Sequence, residues 1–332
     1  MPANPPVMQA IIQDGYGTPE RVLQLAETEV PSIGADDVLV RVRATSVNTP
    51  DWATVAGAPY IMRPGIGLRR PRRPVRGSDI AGVVEAVGQH VTDPAPGDEV
   101  FGSTKNYAGA FAQYAAAPAT QLARKPAGLS FTDAAASVMC GLTALVAVRD
   151  VARVSAGTRV LVNGASGGVG TMAVQIARTL GAEVTGVCGT GSIELVRSLG
   201  ADHVIDYTKE DFTQSGQRFD VILDNVLNHP PKAVVRALAP GGTFMPNSLG
   251  YTGGLFAGLP RMARAVLMRL GSTNVKTVTP AMNRENLAAL GRLLESGQVK
   301  VVIAQTYPLD QAAEAVTHML GHHPGGKIAI TV

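Results

Sequence analysis

The sequence predicts an α/β protein: a doubly wound parallel sheet in its second half, preceded by a β-rich region. Three observations carry that prediction. Short alternating runs that end at Gly, Pro or Asp fill residues 7 to about 125. From about residue 133, apolar helical stretches alternate with Val- and Ile-rich strands, the texture of repeated βαβ units. One of those strands, Val160-Leu-Val-Asn163, runs into Gly-Ala-Ser-Gly-Gly-Val-Gly170, a glycine turn that opens a helix.

In chain order, Asp37–Ala44 and Ile80–Gly88 alternate as half-buried strands do. The parallel sheet takes Arg159–Asn163, Glu183–Val187, His203–Ile205, Asp220–Leu223 and Thr243–Pro246, with helices such as Val169–Leu180 and Ser192–Leu199 between them. This alternation forces right-handed crossovers and a sheet covered on both faces. A helix over Arg284–Ser296, a strand over Lys300–Ile303, a helix near Asp310–Leu320 and a strand over Lys327–Val332 complete the reading.

Composition bounds the function classes. With 332 residues the chain can build two domains, each with its own core. Hydrophobic residues at 45% and charged residues at 17% make it globular rather than disordered. A net charge of +3 supplies no global case for nucleic acid. Two cysteines far apart, Cys140 and Cys188, form no disulfide framework, so a reducing, cytoplasmic setting is expected. The start, Met1-Pro-Ala-Asn-Pro-Pro6, has neither the basic end nor the apolar core of a signal peptide. No run of roughly 18 uninterrupted apolar residues occurs, so no transmembrane segment is expected.

The glycine turn carries the chemistry. Gly167 and Gly168 let the backbone approach a pyrophosphate, Gly170 lets the helix pack against the strand, and Val169 between them is counted with the cofactor-binding turn. The N–H groups at the helix start would hold the anion. An NAD site normally adds a carboxylate at the end of the second strand for the ribose diol. Here that stretch is Gly186-Val-Cys-Gly-Thr-Gly-Ser192, without Asp or Glu. Donors from Gly189, Thr190 and Ser192 remain, so NADPH is favoured over NADH, although no Arg or Lys stands in the loop.

These residues resemble the medium-chain dehydrogenase/reductase superfamily, in its zinc-independent quinone oxidoreductase (zeta-crystallin-like) branch. The similarity rests on Ser46–Asp51, Gly77–Gly88, Pro96–Phe101, Gly109–Tyr114, Ala165–Gly170, Leu199–Tyr207 and Gly325–Lys327, in this order and spacing. It implies a GroES-like β domain built from both chain ends, 1–132 and 281–332, with a Rossmann domain, 133–280, inserted. The zinc-dependent cousins hold their metal with Cys, His and Cys. The matching positions here are Asn48, Ser78 and Cys140, and a single thiol cannot make a three-ligand catalytic site.

The resemblance also implies roles. Asn48 would line the cleft near the nicotinamide ribose, its plain alternative being a turn residue before Pro50. Tyr207 matches a tyrosine that contacts the adenosine phosphate, whereas Ser192 stands where relatives often carry a basic residue. Asn225, Asn247 and Ser248 fall at strand ends and would reach the nicotinamide carboxamide; Lys327 would close over the cofactor. Leu227 replaces a common glycine. A homodimer through a sheet edge over Asn274–Thr279 is implied as well.

Without zinc no Lewis acid polarises a carbonyl, so acceptors that take hydride readily, quinones or α,β-unsaturated carbonyl compounds, are expected. Tyr60 is the candidate proton donor, in a register one residue from that of enoyl-reducing relatives, and Tyr107 is second. The rival readings are an enoyl-thioester or alkenal reductase and a non-catalytic NADPH-binding redox sensor. Two segments stand apart: the arginine-rich loop 63–76, read as a solvated loop or an anion contact, and the apolar stretch 255–270, read as a roof over the substrate or a membrane-surface helix.

Overall fold

Strand register decides which side chains meet in this protein, and it does so separately in two units. The computed structural model describes residues 6–248, 258–271, 273–321 and 325–332. Contacts group 1–139, 282–295 and 303–332 into the first unit, and 140–281 with 296–302 into the second. Where the sequence reading assigned 281–332 as a whole to the first domain, 296–302 groups with the second. The Gln175 side chain accepts from the Lys300 N–H at 2.8 Å and donates to the Lys300 carbonyl at 2.9 Å. The backbone at Lys300 is thereby taken, and the strand expected over 300–303 begins instead at Ile303 and ends at Pro308.

In the first unit, Val7–Gln13 and Leu23–Glu29 pair as an antiparallel hairpin. A larger sheet runs Ile303–Pro308, Lys327–Thr331, Asp37–Ser46, Asp79–Val87, Glu99–Ser103 and Leu122–Arg124, with Tyr114–Pro118 also paired to Asp37–Ser46. Val38, Val40 and Val42 alternate inward along the central strand and meet Ile80, Val84, Val100 and Leu122. Each such buried side chain contributes about 1.5–3 kcal/mol, which locks the register, since a one-residue slip would turn the row to solvent. The last strand is antiparallel to Asp37–Ser46 with Ala329 opposite Ser46. Continued two residues, that register sets Lys327 opposite Asn48.

The second unit holds six parallel strands: His203–Asp206, Glu183–Cys188, Arg159–Asn163, Phe219–Asp224, Leu238–Pro246 and Asn274–Val275, in that spatial order. Strand order reverses beside Arg159–Asn163, which opens a crevice at the carboxyl ends of that strand and of Phe219–Asp224. Leu161, Val187, Ile222 and Phe244 fill the core behind it. The edge strand is confined to Asn274–Val275 rather than extending to Thr279. A helical stretch, Phe131–Val151, is long and apolar enough by composition to cross a bilayer, but 83% of its apolar window is buried, as in a core helix.

Leu227 sits at φ 57°, a left-handed conformation that costs a non-glycine residue about 1–2 kcal/mol, and this accounts for the glycine common in relatives. Its N–H donates to Asp224 Oδ1 at 2.8 Å and its carbonyl accepts from Arg261 at 2.6 Å, so the turn is held from both sides.

Candidate active site

The glycine turn forms as its sequence requires. Arg159–Asn163 leads through Gly164 at φ 78° to Gly167, which caps the helix Gly168–Thr179 without any side-chain hydrogen bond. The first-turn N–H groups at Gly168, Val169 and Gly170 therefore lack the side-chain acceptor that usually covers a helix start. A Cβ on Gly170 would meet Gly164 O at 2.0 Å and Ala165 Cα at 2.7 Å, so only glycine permits this helix–turn contact.

At the crevice, Asn163 Nδ2 donates to Asp224 Oδ1 at 2.8 Å and to Asn228 Oδ1 at 3.1 Å. Asn225 Oδ1 accepts from Asn247 Nδ2 at 2.8 Å. Two polar atoms there, Asp224 Oδ2 and Asn225 Nδ2, are buried with no hydrogen-bond partner among the described residues. Burial raises the Asp224 pKa, against donation from the Leu227 N–H and Asn163. Each such atom is costly to leave unpaired in the interior, which marks this strand end as electrostatically unsatisfied. Asn225 and Asn247, both expected at strand ends, are bonded to each other, and Ser248 follows directly, half-buried. Asn163 and Asp224 were missed as site residues, although a polar residue closing a Val- and Leu-rich strand is a readable signal.

At the carboxyl end of the neighbouring strand Glu183–Cys188, Gly189 caps the turn Thr190–Ser192, and a Cβ there would lie 3.2 Å from the Tyr207 hydroxyl. The tertiary fold brings in an acid that the loop itself lacks. Thr190 Oγ1 donates to Asp206 Oδ2 at 2.6 Å, while Thr208 donates to Asp206 Oδ1 through Oγ1 at 2.7 Å and N–H at 3.0 Å. These bonds, Thr190 first, lower the Asp206 pKa to about 2. The expectation of an acid-free site with a free Thr190 hydroxyl is corrected: Asp206 stands on the neighbouring strand, level with Cys188. Both its oxygens are engaged, and Tyr207 is exposed.

The first unit contributes a buried polar cluster. Lys327 Nζ donates to Val47 O at 2.7 Å and Asn48 Oδ1 at 2.5 Å. Asn48 Nδ2 donates to Asp79 Oδ2 at 2.8 Å and Ser78 Oγ at 3.4 Å, and Ser46 Oγ donates to the same Asp79 oxygen at 2.8 Å. The Asn48 N–H donates to Asp51 Oδ2 at 2.8 Å. Asn48 is therefore engaged on both sides of its amide, and Lys327 is folded into the cluster. Burial raises the Asp79 pKa, opposed chiefly by Lys327. Burial and then Asp79 raise that of Asp51 to about 7. Arg76 completes the set, buried, with no partner for Nε among the described residues and its pKa lowered by desolvation.

Tyr60 lies outside this cluster, in the turn Tyr60–Met62, exposed and with its ring 4.3 Å from the Arg63 guanidinium. Tyr107 is exposed in a turn at φ 55°. Of the stretch 255–270, residues 255–257 lie outside the described residues; Leu259–Leu267 is helical, with Met262 and Ala265 packed on the core of the second unit.

The residues at the three metal positions do not suit zinc. Asn48 and Ser78 offer an amide and a hydroxyl, already bonded to each other, and the buried Lys327 ammonium on Asn48 would repel a dication. Cys140 is a buried thiol. Among the described residues, no group of three or more His, Cys, Asp or Glu is placed to hold a metal ion.

A switch-point sheet with an open helix start behind a glycine turn in one unit, and a GroES-like sheet in the other, define a dinucleotide-binding protein of the dehydrogenase/reductase kind. Comparison with known proteins narrows this. Residues 34–127 match the alcohol dehydrogenase GroES-like domain and residues 199–330 the zinc-binding dehydrogenase family. A chloroplastic quinone oxidoreductase of Triphysaria versicolor is 30% identical over 98% of each chain. A quinone oxidoreductase of Coxiella burnetii superposes with a TM-score of 0.86 at 26% identity, over 98% of this chain and 100% of that one. Escherichia coli quinone oxidoreductase complexed with NADPH does so at 0.81 and 27%, with the same coverage. The chain belongs to the quinone oxidoreductase branch of the medium-chain dehydrogenase/reductase superfamily, and it is an NAD(P)H oxidoreductase.

Proposed function

We propose that the protein is a zinc-independent, NADPH-dependent reductase that delivers hydride to a quinone or, secondarily, to an α,β-unsaturated carbonyl compound. The carrying observation is the open glycine turn at the carboxyl edge of the parallel sheet, with the bonded Asn225 and Asn247 at the ends of neighbouring strands. Gly167, Gly168, Val169 and Gly170 would hold the pyrophosphate, and Asn225, Asn247 and Ser248 the nicotinamide end. Gly189, Thr190, Ser192 and Tyr207 would line the adenosine end. When bound, the reduced nicotinamide supplies the hydride.

NADPH is preferred in this reading because, among the described residues, the loop 189–192 holds no carboxylate of its own for a ribose diol. Asp206 is spent on Thr190 and Thr208, whereas no hydrogen bond engages the Ser192 or Tyr207 hydroxyls among the described residues. The zinc-free reading is supported by Lys327, whose ammonium supplies a positive charge on Asn48 where the zinc-dependent relatives have a ligand. Asn48 and Lys327 then act as a preset polar surface, and Tyr60 donates the proton that must follow hydride to the acceptor oxygen or carbon. Dimerisation through the Asn274–Val275 edge and a reducing, cytoplasmic setting, suggested by the buried free thiols of Cys140 and Cys188, belong to the same proposal.

The test is oxidation of NADPH, with NADH in parallel, by chelator-treated protein against quinones, alkenals and simple aldehydes. Quinone turnover with NADPH, slowed severely by Tyr60→Phe, supports the reading. Turnover that needs added zinc, or tight NADPH binding with no turnover on any acceptor, overturns it, the latter in favour of a redox sensor.

A further inference from the structure

The first unit carries a basic and apolar segment of which the proposed reaction uses only Tyr60 and for which its own sheet does not account. Between Trp52 and Ser78 there is no acidic residue, yet Arg63, Arg69, Arg70, Arg72, Arg73 and Arg76 all fall there. The chain as a whole carries only +3, so everything outside this segment is net negative. Apolar side chains are exposed in the same place: Tyr60 by 44%, Ile61 by 54%, Met62 by 47% and Leu68 by 71%. These are four of the ten large hydrophobic residues exposed among the described residues, drawn from nine consecutive positions, which is clustering rather than the usual scatter.

The segment is held in this shape. The Arg63 guanidinium lies between the rings of Tyr16 and Tyr60, 4.6 and 4.3 Å from their centroids, and its Nε donates to Gly57 O at 3.0 Å. The Tyr16 hydroxyl donates to Gly67 O at 2.6 Å, and Arg73 donates to Lys105 O at 2.9 Å, which ties in the turn bearing exposed Tyr107. Arg69 and Arg70, exposed beside Leu68, make no hydrogen bond or ion pair among the described residues. Such a fixed display of apolar tips beside free guanidinium groups matches an interface that is apolar within and anionic at its rim.

We propose that this segment docks the protein on an anionic lipid bilayer. Ile61, Met62 and Leu68 enter the boundary between headgroups and acyl chains, and Arg69 and Arg70 engage headgroup phosphates and carboxylates. A dissolved polyanion would use the arginines but leave the apolar tips in water, and no aromatic is interleaved between Arg69 and Arg76 to stack a base. A lipophilic hydride acceptor would be met where it is dissolved, but docking itself does not depend on the acceptor.

The experiment is flotation of the full chain with vesicles of phosphatidylcholine alone or with ~30% phosphatidylserine. Binding is expected to the anionic vesicles, falling as salt is raised. Arg69→Gln with Arg70→Gln should weaken it about 30-fold, about fivefold per charge. Ile61→Ser with Leu68→Ser should weaken it at every salt concentration, while both double variants keep wild-type NADPH oxidation with a water-soluble quinone. Equal binding to neutral vesicles, wild-type binding by either double variant, or retention on heparin without flotation overturns the proposal. Flotation by a protein that reduces no quinone would leave docking standing and remove only the proposed acceptor.

Discussion

Asp51→Asn tests the buried cluster through the pH dependence of folding. Burial, with Asp79 second, lifts the Asp51 pKa from 3.8 to about 7 against the pull of the Asn48 N–H, Lys327 and Arg76. In the unfolded chain the same group titrates near 4. The native state therefore holds a proton that the unfolded state has lost between those values, so this group lowers stability as pH rises from about 4 to about 7. The whole interval, about three units at ~1.4 kcal/mol each, sets a ceiling of about 4 kcal/mol, present in full above pH 7. About two of those units lie above pH 5, so wild type should lose ~3 kcal/mol from this group between about pH 5 and pH 8. Asn keeps an oxygen to accept from the Asn48 N–H, so the cap survives the substitution. Urea unfolding of both proteins at the two pH values reads the effect. Asp51→Asn should be the more stable protein at the higher pH and should lose this part of the slope. Parallel pH profiles for the two proteins would refute a neutral, buried Asp51.

Gly170→Ala should abolish NADPH binding and destabilise the second unit by more than the ~1–3 kcal/mol of ordinary overpacking, because the added Cβ meets backbone at 2.0 Å; fluorescence titration and thermal melts check it. Lys327→Met leaves Asn48 Oδ1 without its donor and removes the charge that opposes the raised Asp79 pKa, and should cost ~1–3 kcal/mol, part of it recovered when Asp79→Asn is added. A double-mutant cycle with no coupling would count against the cluster as an electrostatic unit. Leu227→Gly relieves the left-handed backbone yet empties a fully buried site, so a net loss of ~1–3 kcal/mol is expected. A more stable variant would mean that strain outweighs packing there.

What was legible in the sequence is what short-range physics controls. The strands of the parallel sheet fall where Val and Ile runs stop at turn residues, and Gly164–Gly170 forms the turn that its glycines permit, because both depend on residues within one or two helical turns of each other. The glycine-like position of Leu227 was visible as a departure from a family pattern, and the backbone at φ 57° supplies the reason.

The partnerships of the candidate site were not legible, because they join residues far apart through sheet register. Lys327 meets Asn48 across 279 positions since the last strand lies antiparallel on Asp37–Ser46. Asp206 reaches Thr190 because parallel pairing sets it level with Cys188, which placed an acid beside a loop that contains none. Gln175 captures Lys300 across 125 positions and so moves a strand and a domain boundary. Composition and local pattern determined the two kinds of sheet and the dinucleotide turn. Only tertiary structure decided which polar groups are satisfied, which are stranded and which carboxylate keeps its proton, since burial and hydrogen-bond partners are properties of the packed chain and not of any segment of it.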